Sequence, residues 1–229
     1  MLLATIDCTA QTGYGPELGI GISNMRFAPD PSIFTASTTT AIMSGRIGGI
    51  LDVAINRQVY FQPGLFVARR GNKRSFSFYV SDSLNESVDQ TVAINYADLP
   101  INVIYKTGTQ GKGRFFIGAG ATLSYIIGGR NKYTAQGKYN DTPFVVNNDS
   151  KIAADVTFKG FDVGLNLTSG YELPSGLYFR AYYTIGSNDI GLGYETDKNR
   201  MGGISIGYTF GKGRNVKKET EDLIDRSTN

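Results

Sequence analysis

The chain has 229 residues, including 29 Gly, 14 Tyr and 13 Phe, and it contains no His, no Trp and a single Cys. The lack of His excludes a Ser-His-Asp triad and a His-built metal site, and one Cys excludes an intrachain disulfide. Lys and Arg (23) nearly balance Asp and Glu (20), and the formal net charge of +3 gives no indication of nucleic-acid binding.

The N-terminal segment has the pattern of the end of an export signal. A short apolar run from Met1 to Ile6 is followed by small residues around Ala10. We therefore expect residues 1–10 to be a signal-peptide remnant. A lipid anchor on Cys8 is the alternative, although Asp7 stands where such anchors need a small residue.

Eight segments alternate apolar with small or polar residues, which is the period of a β-strand. In chain order they are 15–27, 43–56, 58–71, 91–107, 114–129, 158–173, 177–187 and 200–210. We expect an all-β domain over 11–211, followed by a charged tail over 212–229.

The fourth predicted strand changes phase halfway along. Val92, Ile94 and Tyr96 share one register, whereas the apolar residues from Leu99 onward are one residue out of phase. A β-bulge shifts the register in this way, so the segment Asp98-Leu99-Pro100 at the break predicts a bulge.

The predicted connections alternate between long polar segments and tight turns. The long ones are 28–42, 72–90, 130–157 and 188–199, and the short ones are 56–57, 109–112 and 174–176. This layout is typical of an eight-stranded antiparallel up-and-down transmembrane β-barrel, with short periplasmic turns and long extracellular loops.

The composition of the polar register indicates which face points inward. In the first, fifth, sixth and eighth strands it holds eight Gly, six Ser or Thr, one Asn and three charged residues. Small residues suit a narrow barrel interior, whereas a solvated face would carry Lys and Glu. We therefore expect the apolar register to face lipid. The alternative is a soluble lipocalin-like ligand-binding barrel.

Several segments carry a family resemblance. They are 19–22, 59–66 followed by Arg70-Gly71, 95–101, 116–120, 161–164 and 203–210. Together they resemble the PorT-like outer-membrane β-barrel family of Bacteroidota. The resemblance implies the barrel fold and the outer membrane as location, but it implies no activity and no functional residues.

Charged residues on the inward register are the candidates for a site. They are Glu17, Arg46, Asp52, Asp162, Glu172 and Arg180. Charges in a narrow lumen are costly unless paired, so we expect a salt-bridge network that plugs the barrel. A conductance gate is the alternative reading. A hydrolase using Glu17 and Glu172 is the third, but nothing sets the spacing of those two carboxylates.

A second candidate is a basic cluster where the third strand meets its long connection. Its members are Arg69, Arg70, Lys73 and Arg74. Phosphates of lipopolysaccharide would suit four cations at the outer leaflet. The alternative is an ordinary solvated loop end.

These observations predict a non-enzymatic integral protein of the bacterial outer membrane, with a plugged lumen and no cofactor or metal. Its exposed loops would bind a partner, or it would be an accessory to secretion or envelope assembly. Its expected surroundings are the lipid bilayer, lipopolysaccharide and an envelope or secretion protein, without nucleic acid. A narrow channel for ions or small solutes is the alternative function.

Overall fold

The computed structural model describes residues 12–28, 36–81, 84–108, 112–139, 142–155, 158–187 and 196–211. These residues form nine antiparallel strands: β1 (Thr12–Ala28), β2 (Ala36–Ala54), β3 (Val59–Ser81), β4 (Leu84–Lys106), β5 (Arg114–Tyr139), β6 (Thr142–Ile152), β7 (Phe161–Glu172), β8 (Leu177–Gly186) and β9 (Thr196–Tyr208). None of the described segments is a helix with the length and apolarity needed to cross a membrane. The predicted signal remnant and charged tail lie outside the described residues.

Eight of the strands close into a barrel. Each strand pairs with its neighbour around the ring in the order β1, β2, β3, β4, β5, β7, β8 and β9, and β9 pairs back with β1. The prediction of an eight-stranded up-and-down antiparallel barrel is confirmed. The connections 55–58 and 173–176 lie at one end, together with residues 107–108 and 112–113. We call this the short-turn end, and the opposite end the hairpin end.

The two registers of the barrel strands face as the sequence predicts. Leu65 on β3 is 66% exposed and Ile204 on β9 is 65% exposed, whereas Glu17 on β1 and Asn166 on β7 are each 2% exposed. A soluble barrel would bury its apolar register, so the lipocalin-like alternative is wrong.

Aromatic pairs mark both limits of the apolar outer band. Phe115 and Tyr171 pack in a tilted arrangement near the short-turn end with ring centroids 4.7 Å apart, and Tyr125 and Phe161 do so near the hairpin end at 5.9 Å. Ten residues of β5 separate the two levels, which at the usual strand rise and tilt gives a band about 25 Å tall. That height fits the hydrocarbon core of an outer membrane.

Beyond the hairpin end, strands continue where the sequence predicts long loops. β3 and β4 pair out to Ser81 and Leu84, and β5 continues past its pairing with β7 to form a hairpin with β6. The predicted loops 72–90 and 130–157 are therefore mostly strand. In β6 the exposed residues are on both faces, so this part lacks the alternation by which a half-buried strand is recognised. We call these strand ends, together with the start of β2 that pairs with β3, the outer sheet.

The predicted bulge at Asp98-Leu99-Pro100 is wrong. The register of β3 with β4 is the same on both sides of this segment, from Phe66 and Asp98 to Pro63 and Ile101. A register shift lies instead between Asn95 and Tyr96, in the pairing with β5. The phase change has another cause. From Val92 to Lys106 the even-numbered residues of β4 are buried, and Val92, Ile94 and Tyr96 are apolar residues that face the interior.

Candidate functional site in the barrel lumen

The structure places all six predicted lumen residues on the inner face of the barrel. Their exposure runs from 1% for Asp52 to 8% for Arg46. They come from four strands, β1, β2, β7 and β8, since alternation turns one side chain in two inward on each strand. The set is Glu17, Arg46, Asp52, Asp162, Glu172 and Arg180.

Glu17 is the centre of the first group of contacts. Arg46 donates to its Oε1 and forms an ion pair with it, and the Arg180 Nε lies 3.5 Å from Oε2. The Tyr178 hydroxyl donates to Oε2 at 2.9 Å, and the Ser205 hydroxyl donates to Oε1 at 2.8 Å. Both carboxylate oxygens are therefore fully engaged, as a buried charge requires.

Lys106 holds a second group together near the short-turn end. Its ammonium donates to Asp52 and, at 3.0 Å, to Glu172. Arg114 donates to the other oxygen of Glu172 at 3.1 Å and to the Tyr60 hydroxyl at 2.8 Å. Two cations and two carboxylates thus alternate across the lumen.

Gln62 joins the two groups into one network. Its amide nitrogen donates to Asp52 at 3.1 Å, and its amide oxygen accepts a bond from Arg180 at 2.6 Å. Five of the six predicted lumen residues are therefore connected. We call this the lumen network: Glu17, Arg46, Asp52, Gln62, Lys106, Arg114, Glu172 and Arg180.

Asp162 lies apart from the lumen network, closer to the hairpin end. Its Oδ2 accepts a bond from the Asn199 amide at 2.9 Å, and the same amide donates to the Tyr96 hydroxyl. Nearby, Arg70 forms an ion pair with Asp98 and donates to Ser124 at 3.3 Å. Ser124 is the register partner of both Asp98 and Asp162, which places the two carboxylates on either side of one strand.

Sequence reasoning missed Asp98, Lys106 and Arg114 as lumen residues. The signal was present, because the outward residues Val103 and Tyr105 fix Lys106 as inward, and Phe115 fixes Arg114.

Aromatic side chains fill the space between the ionic groups. The Arg46 guanidinium lies 3.5 Å from the centroid of the Tyr182 ring and 4.8 Å from that of Phe66. Gly207 leaves room for Tyr178, because a Cβ at Gly207 would lie 2.2 Å from the Tyr178 ring. Between the lumen network and the wall, a cavity bordered by Gln62, Lys106 and Glu172 measures about 10 Å³. Such a volume holds one water molecule at most.

An apolar layer closes the lumen towards the hairpin end. It consists of Met25, Val92, Ile94, Tyr96, Ile126, Ile152 and Phe158. The segment between β6 and β7 supplies Phe158, which is 8% exposed, and Gly160, whose carbonyl accepts from the Ile126 amide at 2.8 Å. We call the seven residues from Met25 to Phe158 that form this layer the apolar cap.

The predicted basic cluster is divided between the two faces of β3. Arg69 and Lys73 are exposed on the outside, whereas Arg70 and Arg74 are 3% and 5% exposed inside. Successive strand residues point to opposite faces, so four cations this close in sequence do not form one surface. Arg70 and Arg74 are thereby removed from any lipopolysaccharide contact.

The buried carboxylates are held by ion pairs or amides rather than facing a substrate cleft. Within the described ranges, no three His, Cys, Asp or Glu side chains are grouped closely enough to hold a metal ion. The lumen is therefore built as a packed ionic core.

Comparison with solved structures finds similar outer-membrane barrels. Ail of Yersinia pestis, solved with the heparin analogue sucrose octasulfate, is 11% identical, with 87% of this chain and 99% of that chain covered and a TM-score of 0.41. OprG of Pseudomonas aeruginosa is 10% identical, covering 88% and 97%, with a TM-score of 0.41. The protease OmpT of Escherichia coli is 11% identical, covering 89% and 98%, also at 0.41. At these values the likeness carries no argument about activity.

Among curated proteins, a sequence comparison finds no match. The sequence profile of the family described as outer membrane protein beta-barrel domain matches residues 9–191, which is most of the chain. The profile spans β1 to β8 and the lumen residues they carry. The chain therefore belongs to the outer membrane protein beta-barrel domain family and is a protein of the bacterial outer membrane.

Proposed function

We propose that this protein is a non-enzymatic outer-membrane barrel with a plugged lumen. It acts through its outer sheet, either by binding a partner or as an accessory to secretion or envelope assembly. The short-turn end faces the periplasm and the outer sheet faces the exterior, as in barrels with short periplasmic turns. Within its family the chain resembles the PorT-like barrels of Bacteroidota, and the segments 59–66 and 95–101 support this assignment.

The plugged lumen is supported by two layers of side chains that lie across the barrel. The lumen network crosses the barrel near the short-turn end, and the apolar cap crosses it near the hairpin end. Ions would have to displace paired charges at the first barrier. At the second barrier they would lose their hydration shell, because the apolar side chains provide no polar groups to replace it.

The outer sheet supports the binding role. It presents strands beyond the apolar band, and β6 at its edge exposes Val145 to 64% and Val146 to 49%. Apolar side chains on a solvated strand are typical of surfaces that bind another molecule.

The non-enzymatic assignment is supported by the occupancy of the charged groups. Glu17 accepts contacts from Arg46, Arg180, Tyr178 and Ser205. Glu172 accepts bonds from Lys106 and Arg114. A general base needs a free lone pair directed at a substrate, and neither group faces an open cleft.

Conductance in planar bilayers tests the plugged lumen. We expect no stable single-channel openings from the unaltered protein, because the cavity beside the lumen network holds one water at most. Steady openings with a defined unitary current would contradict the plugged state and would favour the narrow channel for ions or small solutes.

A further inference from the structure

Cations from three different strands meet on the outward face of the outer sheet. They are Arg69 and Lys73 on β3, Arg130 and Lys132 on β5, and Lys151 on β6. All five are exposed, and the side chains of Arg130 and Lys132 are exposed to 62% and 59%. We call this set the basic belt.

The strand register brings the basic belt together. Lys73 pairs with Thr91, which pairs with Lys132, so Lys73 and Lys132 lie two strands apart, about 10 Å between backbones. Arg130 is the direct partner of Lys151 and lies two residues along β5 from Lys132. The cations therefore form one compact patch. Four neighbouring cations on β3 alone do not, because successive residues of a strand point to opposite faces.

The basic belt lies immediately beyond the apolar band. Along β3 the exposed Val67 is followed on the same face by Arg69, and along β5 the exposed Ile127 precedes Arg130. The aromatic pair Tyr125 and Phe161 stands at the same limit. This is the level at which lipid headgroups meet hydrocarbon.

Carboxylates on this face do not neutralise the cations. Asp149 lies 3.2 Å from Arg130 and 3.4 Å from Lys132, and Asp89 accepts a bond from Ser75 at 2.6 Å. Among the described residues of this patch, five cations stand against these two carboxylates. The remaining positive charge is available to an anion.

We propose that the basic belt binds the phosphates of an outer-leaflet lipid of the lipid A type. Charge-assisted bonds from Arg and Lys to phosphate are strong, and cations near an anionic membrane surface add to one another. The apolar strip below, with Val67, Ile127 and Phe161, receives the acyl chains, which a free phosphate lacks. The inference rests on the proposed orientation, with the outer sheet outside.

Native mass spectrometry of the full chain in detergent, titrated with diphosphoryl lipid A, tests the proposal. The double variant Arg130→Gln/Lys132→Gln should bind about 25-fold more weakly, since each cation near an anionic surface contributes about fivefold. The control is Arg57→Gln/Lys112→Gln, which removes two exposed cations in the connections of the short-turn end. It should stay within about twofold of the unaltered protein because it lies on the other side of the apolar band.

A variant that should raise the affinity for lipid A controls for nonspecific loss of structure. Asp149→Asn frees Arg130 and Lys132 from their carboxylate and should tighten lipid A binding severalfold. Equal loss in the two double variants, or equal binding of dephosphorylated lipid A, would overturn the proposal. If millimolar inorganic phosphate displaced lipid A completely, the patch would be assigned to free phosphate instead, and the lipid proposal would be wrong. A conducting barrel that still binds lipid A through the basic belt would break the plugged-lumen function and leave this inference standing.

Discussion

Glu17 shows how much one residue of the lumen network can contribute to the stability of the barrel. Glu17 is 2% exposed and accepts contacts from Arg46, Arg180, Tyr178 and Ser205. Two guanidinium groups share its charge, so its removal leaves two buried cations with reduced compensation. A buried ion pair broken on one side costs more than the pair ever contributed.

Glu17→Gln should lower the free energy of unfolding by about 3–5 kcal/mol, since the amide keeps the shape but not the charge. Unfolding in lipid vesicles, followed by the mobility shift of folded barrels on gels, measures the change. Asp149→Asn is the matched control because its partners are exposed, and it should cost no more than about 1 kcal/mol. Equal losses in the two variants would show that the lumen network does not stabilise the barrel.

At the scale of elements, the alternation of barrel strands could be predicted from the sequence, whereas the outer sheet could not. A barrel strand has lipid on one side and a packed interior on the other, so apolar and polar residues alternate along it, as Leu165 and Asn166 do on β7. β6 has exposed residues on both faces, from Asn147 to Asp149, so its strand conformation depends on pairing with β5. Long-range pairing of this kind leaves no local pattern.

The candidate sites were predictable in part for the same reason. Period two identified Glu17 and Arg180 as inward and would also have identified Lys106 and Arg114. The basic belt needed the structure, because Lys73 and Lys132 are brought together only by the pairing of β3, β4 and β5. Sequence proximity pointed instead to Arg70 and Arg74, which face the interior.

The apolar face of β7 gives a second prediction. Leu165 is 49% exposed and lies between the two aromatic levels, so Leu165→Arg should destabilise the barrel in bilayers by about 2–4 kcal/mol. Val145→Arg is the control, since Val145 is 64% exposed on β6 beyond the apolar band and should change stability little. Unfolding titrations in vesicles measure both. If the two substitutions cost the same, the lipid-facing assignment of β7 fails.

For the whole molecule, the two barriers across the lumen differ in kind and should fail independently. In the proposed plugged lumen, the lumen network closes the short-turn half by charge pairing, and Arg180 connects Glu17 to Gln62 within it. The apolar cap closes the half towards the hairpin end by excluding water, and Phe158 reaches it from the segment that follows β6. A current needs a continuous hydrated path, so opening one barrier leaves the other in place.

Arg180→Ala and Phe158→Ala should therefore each leave the barrel without steady current in planar bilayers, whereas the double variant should show small, persistent conductance. Arg180→Ala removes a side chain that fills the lumen and bonds Gln62 at 2.6 Å, which admits water to the short-turn half. Phe158→Ala removes the ring that packs in the apolar cap and admits water from the hairpin end. Single-channel recording measures all three variants, with gel mobility confirming that each is folded. Full conductance in Arg180→Ala alone would mean that the apolar cap is no barrier, and an absence of current in the folded double variant would mean that the remaining side chains of the lumen suffice to close it.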